Sequence, residues 1–96
     1  TIDYGTTREF TFISDAPMAS YLATVNIGQF DLQQLRGTDG IPIFNYYFSG
    51  ATEENRAPFE RYPQMLQFFA EKFGAYPFSS AGNILIDTKL GVALET

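Results

Sequence analysis

An α+β chain is what this sequence predicts, and three observations carry that reading. Apolar and polar residues alternate with period two in the first third of the chain. An aromatic and aliphatic stripe at helical spacing occupies residues 59–73, and a short apolar run, Asn83–Asp87, follows a glycine and proline break. The expected order is β-β, a boundary at Gly37-Thr38-Asp39-Gly40, then β-α-β-β.

From about Arg8 to Ser14, Phe10 and Phe12 alternate with Glu9 and Thr11, which predicts a strand. Asp15-Ala16-Pro17 breaks it, because Pro17 removes a ladder donor and holds Ala16 extended. A second strand is expected from Ser20 to about Leu32, with Tyr21, Ala23, Val25 and Ile27 on one side and a bulge or bend at Gly28. The short link between the two suits an antiparallel pair. Two glycines flanking Thr38-Asp39 are the clearest internal punctuation, and a domain boundary is expected there, giving units 1–38 and 39–96. Ile41 to Phe48 reads as a third strand with Pro42 at an edge or entry, and Ser49 to Asn55 as a polar loop.

Phe59, Tyr62, Leu66, Phe69 and Phe73 recur at intervals of three and four, one face of a helix. Pro63 is tolerated only in a first turn, so the helix starts near Tyr62 or kinks there. Gly74 supplies a left-handed stop, Lys72 sits at the negative end of the helix dipole, and Pro77 follows. Thr88-Lys89 is expected to turn, leading into a last strand over Leu90–Thr96.

Composition excludes several functions. Of the 96 residues, 45% are hydrophobic and 18% charged, too apolar for a disordered chain. Ten Phe and six Tyr are a heavy aromatic load, which implies packing against surface outside the chain. The net charge is −5 and the six Lys and Arg are scattered, so no nucleic-acid partner is expected. The chain contains neither Cys nor His, which removes disulfides, thiolate metal sites and the His-based catalytic pairs. No apolar run reaches the ~18 residues of a membrane span, and no signal peptide opens the sequence. Thr1 in place of an initiator Met leads us to expect a cut boundary at the N-terminus.

Carboxylates remain as candidate catalytic groups. Glu53 and Glu54 read as solvated loop charges, with no sign of the defined carboxylate gap of a glycosidase. Asp87 ends an apolar strand, where either turn chemistry or catalysis accounts for it. Gly74 and Gly82 form no phosphate loop.

Three phrases, in order, add a resemblance. Pro17-Met18-Ala19-Ser20-Tyr21-Leu22 followed by Gly28-Gln29-Phe30 resembles the strand closing the N-terminal β-domain of the membrane alanyl aminopeptidase family. The run from Pro63 to Phe78, with its Phe73-Gly74-Ala75-Tyr76-Pro77 exit, resembles the first helix of that family's thermolysin-like catalytic domain. Val92-Ala93-Leu94-Glu95-Thr96 resembles its exopeptidase motif. The resemblance covers the chain from about residue 8.

It implies an internal fragment of a zinc metallo-aminopeptidase: residues 1–38 as the last strands of the N-terminal β-domain, and residues 39–96 as a truncated start of the catalytic domain. Zinc and peptide substrate would belong to the parent enzyme; the His-Glu-x-x-His motif is missing here, so this chain is expected to be inactive alone. Glu95 matches the glutamate that binds the substrate's free α-amine, as a carboxylate pairs with an ammonium. Val92 and Ala93 match positions whose backbone lines the substrate. The family's leading Gly is Val92 here and its Asn is Thr96. Self-association through exposed aromatics or strand edges is also expected. Two alternatives stay open: a non-catalytic β-rich binding or scaffold domain related to the family, and an unrelated small enzyme using Asp87 and a Tyr.

Overall fold

The computed structural model of the protein describes residues 1–88. Over these residues the architecture is α+β, with two small antiparallel or mixed sheets and one substantial helix. β1 (Ile2–Asp3) pairs with β2 (Arg8–Glu9) in a minimal hairpin. Here the Asp3 carboxylate accepts from the Gly5 amide and from Arg8, which together hold its pKa below the usual 3.8. The strand expected over Arg8–Ser14 is therefore realised only at its first two residues. Phe12 and Ile13 are 90% and 82% exposed, and no strand among the described residues pairs with them.

The second expected strand changes more. Ser20–Leu22 forms one 3-10 turn, and regular pairing begins only at β3 (Phe30–Arg36). β3 runs antiparallel to β4 (Pro42–Phe48) over seven residue pairs, from Phe30 opposite Phe48 to Arg36 opposite Pro42. Gly37–Gly40, expected as a domain boundary, is the connection of this hairpin, so a division between residues 38 and 39 falls inside a paired unit. Asp39 and Gly40 take positive φ (60° and 73°), and Arg36 Nη1 donates to the Gly40 carbonyl. Pro42 sits at strand entry, where its missing N–H costs one ladder bond at most.

After β4 the chain forms α1 (Glu53–Arg56), a 3-10 segment over Ala57–Arg61, and α2 (Tyr62–Phe73). α2 starts at Tyr62, with Pro63 in its first turn, and stops at Gly74 with φ 101°. The loop expected at Ser49–Asn55 instead opens α1: the Thr52 hydroxyl accepts from the Asn55 amide while the Asn55 side chain accepts from the Thr52 amide. β5 (Ala81–Leu85) then joins β4 in parallel, giving the sheet order β3-β4-β5.

Strand alternation gives this sheet two unlike faces. Towards the helical layer point Ile43, Asn45 and Tyr47 of β4, all buried, with Leu66 of α2 against them. At Gly37 an added Cβ would come within 3.2 Å of both Ile43 Cδ1 and Leu66 Cδ1, so the hairpin turn packs closely on this core. Phe59 meets the Tyr47 ring edge-on at 6.0 Å. The opposite face carries Phe30, Leu32, Tyr46 and Ile84, and Leu32 and Ile84 are about half exposed. No helix among the described residues is long and apolar enough to cross a membrane.

Candidate functional site

Among the described residues, the only polar constellation that the fold gathers into its interior runs across all three strands. Asn45, fully buried, stands between Gln33 of β3 and Asn83 of β5, because these three residues share one register position. Asn83 Nδ2 donates to Asn45 Oδ1 at 3.1 Å, and Asn45 Nδ2 donates to Gln33 Oε1 at 3.2 Å and to the Phe59 carbonyl at 3.5 Å. The Tyr47 hydroxyl donates to the same Gln33 Oε1 at 2.7 Å. No buried side-chain polar atom among the described residues lacks a partner.

Arg56 closes one end of this row. Its guanidinium donates to Asp31 Oδ2 at 2.7 Å and to the Ala51 carbonyl, and it lies 5.0 Å over the Tyr47 ring. The pair is partly exposed, so its worth is that of a surface ion pair, about 0–1 kcal/mol. It ties α1 to β3 and β4. Burial pushes the Tyr47 phenol above its usual 10.0, with smaller contributions from neighbours, and burial does the same to Tyr76. Tyr47 thus stays protonated and donating. Neutral amides and a protonated phenol supply neither a base nor a nucleophile at neutral pH, so this row is a positioning device rather than a reaction centre.

The residues singled out from sequence lie elsewhere. Glu53 and Glu54 are exposed on the first turn of α1, where a carboxylate favours the helix dipole. Asp87 is exposed in the bend after β5. The structure brings none of these three together. Val92, Ala93 and Glu95, with the turn at Lys89 and the strand over Leu90–Thr96, lie outside the described residues. Among the described residues no three of His, Cys, Asp and Glu converge. With no His or Cys in the sequence, the donor set of an ordinary zinc site is missing from this chain.

Gln33, Asn45 and Asn83 were not singled out from sequence. A polar residue at the centre of an apolar strand, as in Ile43-Phe44-Asn45-Tyr46-Tyr47, was the signal available, since a buried amide demands a partner. The described residues also line open grooves. One of about 490 Å³ lies between Ile13–Ala16 and Pro77–Ser80, and one of about 570 Å³ lies between the N-terminal arm and Phe30, Tyr46 and Ile84. Comparison with protein-family models, curated proteins and solved structures gives no match. What fold and site define is therefore a class, a small α+β protein with a polar ladder in its core.

Proposed function

We propose that this chain is part of a zinc aminopeptidase that removes N-terminal amino acids from peptides, and that it is catalytically silent by itself. The observation that carries the reading is the order of three phrases in one sequence: Pro17-Met18 to Phe30, Pro63 to Phe78, and Val92 to Thr96. The fold is compatible with it. A helix over Tyr62–Phe73 ends at Gly74, and the parallel strand β5 then leads towards the segment that contains Glu95. In this reading Glu95 receives the substrate's ammonium group, Val92 and Ala93 offer backbone to the peptide, and the zinc ligands come from sequence other than this chain.

The test has two arms. The parent gene is expected to encode two histidines flanking a glutamate in His-Glu-x-x-His spacing downstream of Thr96; a frame continuing without them overturns the assignment. The pure 96-residue chain, supplied with zinc, is expected to release no chromophore from aminoacyl substrates, and chelator-sensitive turnover would contradict that. A second reading, a non-catalytic binding or scaffold module, draws on the open sheet face where Leu32, Tyr46 and Ile84 are 48%, 37% and 47% exposed. A natural stop codon after Thr96 would favour it.

A further inference from the structure

We infer that Asn83 and Gly82 are positioning residues that pin β5 to a single register on β4. Alternation along a strand rules out a slip of one residue, because every side chain would change face. It does not rule out a slip of two. β5 is short and parallel, and Ala81, Asn83 and Leu85 all face the helical layer. Two independent features oppose the two-residue slip.

The first is the amide pair. In the observed register Asn83 donates to Asn45 Oδ1 at 3.1 Å. Moving β5 by two places Leu85 or Ala81 beside Asn45 and carries Asn83 to Ile43 or Tyr47. Either slip leaves a fully buried carbonyl oxygen without its donor. The second is backbone proximity. A Cβ added at Gly82 would overlap the Phe44 carbonyl oxygen and lie 2.8 Å from its carbon. The slipped registers put Ile84 or Ser80 at that point, and both carry the Cβ that the gap does not admit.

The register sets where the chain leaves the sheet. A slip of two moves the exit at Asp87 by about 6–7 Å along the strand direction. On the aminopeptidase reading, which this last step alone rests on, Asn83 and Gly82 thereby determine where the segment carrying Glu95 begins.

The test uses the 96-residue chain and cross-strand NOEs between β4 and β5, with amide hydrogen exchange. Asn83→Leu is expected to lower protection of the β5 amides at least tenfold while the β3–β4 hairpin keeps its own. Gly82→Ala is expected to do the same. The double variant Asn45→Leu/Asn83→Leu removes both amides and is expected to recover protection in one register, which Gly82 still holds. Adding Ile84→Gly, which removes the Cβ that a slipped register would press on the Phe44 carbonyl, is expected to give two sets of β5 resonances, one slipped by two residues. A single set with the original NOEs in that triple variant overturns the inference. So does a double variant that fails to fold, since the amides would then serve stability rather than register. Neither readout involves zinc or substrate, so failure here leaves the aminopeptidase reading untouched, and a parent without peptidase activity leaves the register untouched.

Discussion

Asn45 shows how much of this fold depends on one side chain. It is fully buried, and its amide links two neighbouring strands and the 3-10 segment that precedes α2. Asn45→Ala removes the acceptor of Asn83 and a donor to Gln33 and leaves those groups to find water. The expected loss is about 1–3 kcal/mol, read as a lower urea midpoint with unchanged slope. Tyr47 adds a dependence on pH. Its folded pKa lies above the unfolded 10.0, mainly through burial, so the native state keeps a proton that the unfolded chain has released. Stability from this group is complete below about pH 10 and falls as pH rises further. Tyr47→Phe should flatten that alkaline fall in a series of thermal melts from pH 8 to 11. At neutral pH it should cost about 0.5–1.5 kcal/mol for the hydrogen bond to Gln33.

The helical elements show the clearest agreement between pattern and fold. The apolar interval of three and four placed α2, and Pro63 and Gly74 fixed its ends, because each restricts the backbone locally. Gly74 has φ 101° and nothing within 4 Å of an added Cβ, so a substitution there meets strain alone. Gly74→Ala is expected to cost roughly 1–2 kcal/mol in chemical denaturation. α1 escaped the sequence because its cap pairs Thr52 with Asn55, whereas the familiar signature has Glu or Gln at that position. Thr52→Ala should lower stability by about 1 kcal/mol, visible as earlier exchange of the Asn55 amide. The strands were less legible. Alternation at Phe10–Ile13 and Tyr21–Ile27 resembles that of β4, but among the described residues only β4 has strand neighbours on both sides.

Across the whole molecule, apolar surface is in excess. The Cα radius of gyration is 15.1 Å, against about 13 Å for a compact chain of 100 residues. Phe68, Phe69 and Phe73 of α2 are 53%, 53% and 83% exposed, and Phe69 stacks on Phe73 at 6.0 Å. Such a patch favours association, despite a net charge of −5. Light scattering over a concentration series should show mass rising with concentration, and Phe73→Lys, a cation at the C-terminal end of α2, should suppress it without lowering the melting temperature. A wild-type chain that stays monomeric at millimolar concentration would contradict this.

By itself the sequence determined the α+β class, the span and stop of α2, the entry of β4 at Pro42, and the lack of imidazole and thiolate metal ligands. These follow from local backbone limits, from periodicity and from composition. Only the tertiary structure decided which strands pair, that Gly37–Gly40 closes a hairpin, and that Gln33, Asn45 and Asn83 meet. Periodicity states which face a residue takes and is silent on which strand lies beside it. Asn45 finds its donor 38 residues away, a distance that no local pattern spans.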